Sequence, residues 1–319
     1  MKFNDKIFIA GHKGLVGSAI LKELKLQGFT NLITRSKKAL NLTNQMDVQN
    51  FFDQEKPDLV FLSAAKVGGI YSNSTYPADF IYENIMIQTN VIHAAYKSGA
   101  ERLLFLGSTC IYPKLAFQPI KEESLLTGPL EETNEPYAVA KIAGLKMCES
   151  YNRQFDTDFR SIMPTNLYGK NDNFHSQNSH VIPALINRFH NAKINNQTEV
   201  AIWGSGKALR EFLYVDDLAS AAIFVMKLDK AEYRANTQPM QSHLNVGTGV
   251  ENSISQVAEE IKRIVEFKGK IKFDKSMPDG TPRKVVEVSK LNSLGWKYSV
   301  ELCDGLRKTY DWFKKNSVE

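Results

Sequence analysis

The sequence predicts an α/β fold with helices on both faces of a doubly wound parallel sheet. Short apolar runs alternate with longer segments of helical period in the first half of the chain, which is the pattern of strands joined by crossover helices. Gly28, Pro57 and Gly99 follow three of these helical segments, as residues that end helices do. The predicted strands lie at 7–10, 31–34, 58–63, 102–107 and 159–163, and the predicted helices at 15–27, 45–56, 78–98 and 134–154.

The second half predicts a smaller α/β domain built from several returns of the chain. Residues 164–180 are polar and rich in asparagine, and they exceed the ~2–6 residues of an ordinary connection. Shorter elements follow, with helices at 181–192, 216–227, 253–265 and 301–315 and strands at 199–203, 210–215 and 243–246. We therefore assign residues 1–164, with returns near 210–247, to the sheet domain, and 165–209 and 248–319 to the smaller domain.

Composition narrows the class of partner. The chain has 319 residues, a net charge of +5 and 24% charged residues, and its basic residues occur at most in pairs. A nucleic-acid-binding surface needs a clustered basic stripe, so we expect small anions instead. The three cysteines are widely spaced, which predicts neither a disulfide framework nor a metal site. No apolar stretch approaches the ~18 residues of a membrane span, and we expect a cytoplasmic protein.

The first strand leads into a glycine turn and a helix. Gly11 allows the tight turn, Gly14 lets the backbone approach a pyrophosphate, and Gly17 allows close packing of helix on strand. The helix then presents its N–H groups to phosphate oxygens. The spacing G-x-x-G-x-x-G departs from the common G-x-G-x-x-G and carries little weight alone. Its position after the first strand favours a dinucleotide-binding (Rossmann) domain over a purely structural turn.

The end of the second strand indicates which dinucleotide binds. Enzymes that use NAD place an acidic residue there for the ribose 2′-hydroxyl. This chain has Arg35 and Lys37 instead, which together with Lys13 would suit a 2′-phosphate through charge-assisted hydrogen bonds. The alternative is a solvated basic loop. We predict NADPH or NADP⁺ as the cofactor.

A tyrosine and a lysine one helical turn apart predict the chemistry. Tyr137 and Lys141 share one helix face, and they follow a predicted strand that ends at Gly107-Ser108, on the sheet edge that faces a ligand crevice. The spacing recurs at Tyr310 and Lys314, which we interpret as the ordinary surface of the last helix because no such strand precedes them.

This trio suits the reduction of a carbonyl. A carbonyl that receives hydride needs a proton donor, and a tyrosine with a pKa of ~10 is a poor donor at neutral pH. The Lys141 ammonium would lower the pKa of Tyr137, and the Ser108 hydroxyl would hold the substrate oxygen. Ser108, Tyr137 and Lys141 are similar to the catalytic triad of short-chain dehydrogenases.

Further motifs resemble one family of extended short-chain dehydrogenases, the GDP-L-fucose synthases, over essentially the whole chain. They include Gly-His-Lys-Gly-Leu-Val-Gly and Asn-Glu-Pro-Tyr-Ala-Val-Ala-Lys, and they lie at 11–17, 64–70, 108–113, 134–141, 164–169, 172–175, 178–183, 203–206, 210–212 and 278–284. Two departures are minor. Thr109 stands where a serine is frequent, and Lys13 replaces an arginine, which keeps the charge but loses the planar fork.

The resemblance implies a two-part reaction. That family inverts C3 and C5 of GDP-4-keto-6-deoxy-D-mannose and then reduces the C4 ketone with NADPH to give GDP-L-fucose. It implies that Cys110 and His180 are the base and the acid of the inversions, and both residue types can titrate near neutral pH. The alternatives are a small buried residue behind Ser108 for Cys110 and a surface histidine at a helix start for His180.

The resemblance also implies the binding residues and the assembly. The cofactor contacts would be Gly11, His12, Lys13, Gly14, Leu15, Val16, Gly17, Arg35, Lys37, Asn41, Leu42, Ala64, Ala65, Lys66, Leu106, Gly107, Lys141, Pro164, Asn166, Leu167 and His180. The nucleotide sugar would contact Ser108, Arg188, Trp203, Arg210, Asp279 and Lys284. A homodimer would form through the helices at 78–98 and 134–154.

Two other functions compete with this one. A nucleotide-sugar 4-epimerase or 4,6-dehydratase on the same fold would show an acidic second-strand end, and a dehydratase would need carboxylates beside Ser108, where Thr109 and Cys110 stand. A non-catalytic NADP-sensing protein would keep the glycine turn and lose the catalytic trio. The presence of all three residues argues against a sensor.

Overall fold

A computed structural model describes residues 1–175, 179–276 and 280–316. Strands β1 to β12 span Ile7–Ala10, Leu32–Ile33, Leu59–Leu62, Arg102–Leu106, Phe159–Pro164, Asn166–Tyr168, Glu199–Trp203, Leu209–Tyr214, Leu244–Val246, Glu251–Ser253, Lys270–Asp274 and Arg283–Lys284. Helices α1 to α11 span Leu15–Leu26, Gln45–Glu55, Ile70–Thr75, Pro77–Lys97, Glu135–Phe155, Val181–Ile194, Val215–Lys227, Lys230–Ala235, Ile254–Val265, Ser289–Ser293 and Leu302–Asn316.

A six-stranded parallel sheet forms the centre, in the order β2-β1-β3-β4-β5-β9. Alternate residues of β1 enter opposite cores: Ile7 and Ile9 pack with α1 and α7, while Phe8 packs with the α2, α4 and α5 side. The sheet is therefore covered on both faces, which confirms the predicted doubly wound α/β class. The chain order reverses between β1 and β3, and ligands bind in the crevice at such a switch point.

A second group of strands lies beyond the carboxyl ends of the central strands. Strands β10, β8 and β12 form a sheet that β6 joins through β8, and β11 pairs with β7 in parallel. Helices α6, α9 and α11 enclose a separate apolar core that includes Phe189, Ile261 and Phe313. Within the described residues, no helix is both long and apolar enough to cross a membrane.

Tyr310 belongs to this second core, so its interpretation as an ordinary surface residue is wrong. Its side chain is buried, and its hydroxyl lies 3.1 Å from the His190 Nδ1 atom. Leu306, Tyr310 and Phe313 follow the i, i+4, i+7 spacing of one helix face, and that face of α11 packs into the core.

A buried carboxylate ties the second sheet to the loops around it. The Glu211 side chain on β8 is fully buried, and it accepts hydrogen bonds from the backbone N–H groups of Thr248, Gly249 and Val286 at 2.5, 2.8 and 2.9 Å. Burial raises the pKa of Glu211, and the three backbone donors oppose that rise. One side chain thus connects β8 with the segments that follow β9 and β12.

Removal of this carboxylate should destabilise the fold. Glu211→Ala leaves three backbone donors without their acceptor, and we expect the free energy of unfolding to fall by about 3 kcal/mol or more. Urea denaturation followed by circular dichroism measures the loss. Glu199→Ala, which removes an exposed glutamate from strand β7, is the matched control and should change stability by less than about 0.5 kcal/mol. Equal stability of the two variants would contradict a structural role for Glu211.

Candidate active site

One large cavity lies between the carboxyl edge of the central sheet and the second group of strands. Its volume is about 1020 Å³. Every residue that the sequence predicts for catalysis, cofactor binding or substrate binding lines this cavity, with the exception of Asp279, which lies outside the described residues. Residues from distant parts of the chain therefore meet in one place.

The glycine turn closes one end of the cavity. A Cβ atom on Gly11, whose φ is +90°, would lie 2.8 Å from the Ala64 nitrogen, and a Cβ on Gly17 would lie 2.2 Å from the Gly11 oxygen. Gly14 caps α1 without a side-chain hydrogen bond, so the first N–H groups of the helix face the cavity uncapped by a side chain. A turn this close to β3 with an open helix start fits the pyrophosphate of a dinucleotide.

Basic residues line the cavity next to β2. The Arg35 Nη2 atom lies 2.6 Å from Glu55 Oε1, and the guanidinium stacks 5.5 Å from the Phe51 ring centroid. Lys37 lies 3.7 Å from Glu83, which also binds Lys66 at 2.7 Å. These cations are held in place by carboxylates on the protein. An incoming phosphate would compete with Glu55 for Arg35 and with Glu83 for Lys37.

The predicted catalytic trio is assembled at the centre of the cavity. Ser108 follows β4, and Tyr137 and Lys141 lie one turn apart in α5. The Ser108 and Tyr137 side chains both line the cavity, and Ser108 Oγ accepts a hydrogen bond from the Cys110 N–H group at 3.2 Å. The Lys141 Nζ atom donates to the Leu106 carbonyl oxygen at 2.8 Å and lies 5.8 Å from the centroid of the Tyr137 ring. This arrangement can hold a carbonyl oxygen between two hydroxyl groups.

The electrostatics of the pair differ from the sequence expectation. Burial raises the pKa of Tyr137, and neighbouring Cys110 raises it further, while the hydrogen bond with Ser108 lowers it. Burial also lowers the pKa of Lys141 to about 7. Loss of solvent thus outweighs the expected effect of the ammonium on the phenol. At neutral pH Tyr137 is a neutral phenol, which is the form that donates a proton.

A second reactive group lies next to the trio. The Cys110 sulfur accepts hydrogen bonds from Asn134 Nδ2 at 3.5 Å and from Lys284 Nζ at 3.6 Å. His180 caps α6 and is exposed within the cavity. Loss of solvent inside the cavity lowers the pKa of its imidazole, and the charge of Lys284 lowers it further. Cys110 is partly accessible rather than fully buried behind Ser108, so both residues can reach a bound molecule.

The far part of the cavity carries an aromatic and cationic surface. The Arg188 guanidinium stacks 5.0 Å from the Trp203 ring centroid, and its Nη1 atom donates to the Ala201 carbonyl at 3.3 Å. Trp203 remains 42% exposed at the end of β7. Arg210 lies on β8 and donates to the Leu209 carbonyl at 2.8 Å. A flat ring and two guanidinium groups suit a nucleotide with its phosphates.

The polar residues of the cavity that were missed as site residues include Asn134 and Asp172. Asn134 precedes α5 and contacts the Cys110 sulfur, and its place three residues before Tyr137 was the available signal. Asp172 lies on the loop after β6, and burial raises the pKa of its carboxyl to about 7. Its neighbour Asn171 donates to Ser18 Oγ in α1 at 3.1 Å, which brings this loop to the cofactor end.

Comparison with known proteins places this geometry in a family. The family model described as "NAD dependent epimerase/dehydratase family" matches residues 7–247, which include the glycine turn, the catalytic trio, Cys110 and His180. The chain belongs to this family.

Relatives within the NAD-dependent epimerase/dehydratase family match the chain over nearly its whole length. GDP-L-fucose synthase of Escherichia coli (strain K12) is 57% identical over 98% of this chain and 97% of that protein. Putative GDP-L-fucose synthase 2 of Arabidopsis thaliana is 59% identical over 98% of this chain and 93% of that protein. The structure is also similar to a GDP-D-glycero-L-gluco-heptose synthase from Campylobacter jejuni, solved in the presence of NADPH, with a TM-score of 0.92, 40% identity, and 98% and 99% of the two chains covered.

Proposed function

We propose that the protein is a GDP-L-fucose synthase. It inverts C3 and C5 of GDP-4-keto-6-deoxy-D-mannose and then reduces the C4 ketone with NADPH. The observation that carries this proposal is the presence, in one cavity, of a carbonyl-reducing trio and of a separate cysteine and histidine pair. Support also comes from relatives of that name at 57% and 59% identity.

The cofactor proposal follows from the residues around the glycine turn. NADPH supplies the hydride when bound. The N–H groups at the start of α1 would hold its pyrophosphate, and Arg35 with Lys37 would hold the 2′-phosphate. The other predicted contacts, from Asn41 to Leu167, line the same cavity. The similar C. jejuni structure, solved in the presence of NADPH, supports the same assignment.

One ketone serves both parts of the reaction. The carbons on either side of a ketone are acidic because the resulting carbanion is an enolate. Cys110 and His180 remove and return protons at these carbons, one acting as base and the other as acid. Ser108 and Tyr137 hold the ketone oxygen throughout. In the final step Tyr137 gives its proton to that oxygen, because the alkoxide formed there is a much stronger base than a phenolate.

The nucleotide end of the substrate is proposed to lie on the surface around Trp203. Arg188 and Arg210 would bind the pyrophosphate, and Trp203 would pack against a flat or sugar surface of the ligand. In this proposal the cofactor domain comprises residues 1–164 with returns near 210–247, and the substrate domain comprises 165–209 and 248–319. Asp279 keeps its proposed substrate role from the sequence alone.

We further propose a cytoplasmic homodimer that forms through α4 and α5. These two helices pack against each other, and Tyr96 stacks on Phe155 with 4.4 Å between ring centroids. Phe155 and Tyr82 remain 41% and 62% exposed on these helices. The three cysteines are free thiols, which agrees with a reducing compartment. Sedimentation analysis tests the dimer directly.

The direct test of function supplies GDP-4-keto-6-deoxy-D-mannose and NADPH to the purified protein. We expect NADPH oxidation and a product that NMR identifies as GDP-L-fucose. NADPH oxidation that yields only a sugar with unchanged configuration at C3 and C5 would indicate a simple C4 reductase. An absence of NADPH oxidation would contradict the proposed reduction.

The cofactor preference depends on Arg35. Arg35→Asp removes a phosphate partner and adds a repulsive charge, so we expect the affinity for NADPH to fall by about 10–100-fold, the worth of one or two charge-assisted hydrogen bonds. The affinity for NADH should change little. Fluorescence titration with each cofactor measures both. Lys38→Asp is the matched control, because Lys38 is exposed on the same loop outside the cavity lining. Equal losses for NADPH and NADH would show that Arg35 does not bind the 2′-phosphate.

A further inference from the structure

The Cys110 sulfur is surrounded by nitrogen donors from two distant segments. Asn134 approaches from the start of α5 at 3.5 Å, and Lys284 approaches from β12 at 3.6 Å. β12 pairs with β8 in parallel, with Lys284 opposite Arg210, and this pairing fixes the backbone that carries the ammonium group. The contact therefore depends on how the second sheet is placed over the cavity. Sequence resemblance assigned Lys284 only to substrate binding.

Lys284 has no carboxylate partner among residues 1–175, 179–276 and 280–316. Other cations of the region have acidic partners: Arg283 binds Glu251 at 2.7 Å, and Lys114 binds Glu131 at 3.1 Å. In the part of the chain that the structure describes, Lys284 makes no ion pair. Its hydrogen-bond acceptor there is the sulfur of Cys110. An ammonium group in this position can make a charge-assisted hydrogen bond to a negatively charged sulfur.

The same charge acts on the second member of the pair. Loss of solvent has the larger effect on the pKa of His180, and the charge of Lys284 lowers this pKa further. A protonated His180 is therefore a stronger acid than an ordinary imidazolium. Among the described residues, other titratable groups of the cavity lining include Tyr137 and Glu131. Tyr137 is a neutral phenol, and Glu131 is bound to Lys114 and accepts a hydrogen bond from Thr281 at 3.4 Å.

We propose that Lys284 is a positioning residue for the inversion steps, whose ammonium group holds the Cys110 sulfur and stabilises the negative charge that this sulfur carries when it acts as a base. Asn134 supplies the second donor that fixes the direction of the sulfur. The proposal rests on the proposed function, in which Cys110 and His180 move the protons at C3 and C5. It differs from a substrate-binding role because the effect on Cys110 exists before any substrate binds.

The test measures Cys110 directly and without substrate. Alkylation by iodoacetamide is followed for each cysteine by peptide mass spectrometry between pH 5 and 10, in the intact protein and in Lys284→Gln and Lys284→Arg. We expect Lys284→Gln to slow alkylation of Cys110 about 10-fold at neutral pH and to move its profile about one unit to higher pH, because one unit corresponds to a tenfold change in thiolate. Lys284→Arg keeps the charge and should stay within about threefold.

Two controls accompany this measurement. Cys303 is the internal control, because its sulfur accepts from Arg263 at 3.2 Å and its alkylation should be the same in all variants. Lys207→Gln removes an exposed lysine from the loop between β7 and β8 and should leave the Cys110 profile unchanged. An unchanged Cys110 profile in Lys284→Gln would overturn the proposal. A folding defect would be seen as altered alkylation of Cys303 and of buried Cys148, and Lys284→Met, which also removes the charge, then replaces Lys284→Gln with the same expected slowing.

A second measurement separates this proposal from the proposed function. Deuterium exchange at C3 and C5 is followed by NMR with NADP⁺ present. Lys284→Gln should lower the maximal exchange rate about 10-fold at neutral pH and move its acidic limb to higher pH. A rise in KM alone, with an unchanged pH profile, would show that Lys284 only binds substrate and would overturn the proposal. Absence of exchange in the unmodified protein would contradict the proposed function, while the alkylation result would still decide the role of Lys284.

Discussion

Replacement of Tyr137 by phenylalanine is expected to lower the rate of ketone reduction by about 10²–10⁴-fold, the usual contribution of a general acid. The change removes the phenolic proton and leaves the ring that packs edge-on to Phe80, with 6.3 Å between centroids. The variant should therefore have a lower rate of reduction and an unchanged fold. NADPH oxidation under saturating GDP-4-keto-6-deoxy-D-mannose measures the reduction step. Thermal unfolding of the same sample measures stability.

Tyr310→Phe provides a matched control with the same chemical change in the other Tyr-x-x-x-Lys motif. Because the Tyr310 hydroxyl contacts His190 in the second core, this variant should lose about 0.5–1.5 kcal/mol of stability, the usual worth of one hydrogen bond. Its reduction rate should be unchanged while it remains folded. Comparable loss of rate in the two variants would contradict the assignment of Tyr137 as proton donor.

The sequence was sufficient for the central sheet because each of its strands is read from local composition. β1, β3 and β4 are short apolar runs, buried on both faces, and their observed bounds agree with the predicted ones within one or two residues. The helices between them end at glycine or before proline. No long-range information was needed to find these elements. The alternation of strand and helix predicts that these strands are parallel, but it does not determine their spatial order.

The second half was harder because its short strands depend on partners that are distant in the chain. β10 and β12 have three and two residues, and each is defined by pairing with β8. β11 pairs with β7 across a gap of about seventy residues, and its alternating Lys-Ile-Lys-Phe-Asp sequence was not recognised. Helix α3 follows Gly68 and Gly69, which concealed its helical character. Such elements have weak local signals, and tertiary pairing determines them.

The gathering of the site residues was predicted better than their electrostatics. The trio, Cys110 and His180 line one cavity, as their family motifs imply. Composition and spacing do not reveal how much solvent a fold removes from a side chain. For that reason the predicted direction of the Tyr137 pKa shift was wrong, and the contact between Lys284 and Cys110 was not predicted. Both depend on the placement of the second sheet over the first.

Replacement of Cys110 by serine is expected to suppress exchange of the C3 and C5 protons with D₂O by at least about 10²-fold. A serine hydroxyl is similar in shape and can also accept hydrogen bonds, but it is a far weaker acid than a thiol and is rarely ionised. Ser108, Tyr137 and Lys141 remain, so the variant should still reduce the ketone slowly. The product would then be a GDP-6-deoxy sugar of the D series, because C3 and C5 would keep their configuration.

The measurement is deuterium incorporation followed by NMR, with NADP⁺ in place of NADPH so that reduction does not remove the ketone. His180→Gln should also impair the inversions, because the glutamine amide cannot return a proton to the enolate. It should leave one round of proton abstraction detectable if Cys110 is the base. Cys148→Ser is the control, since Cys148 is buried within α5. This variant should exchange the C3 and C5 protons at the normal rate. Normal exchange at both carbons in Cys110→Ser would defeat the assignment of Cys110, and His180 would then be the first candidate for the base.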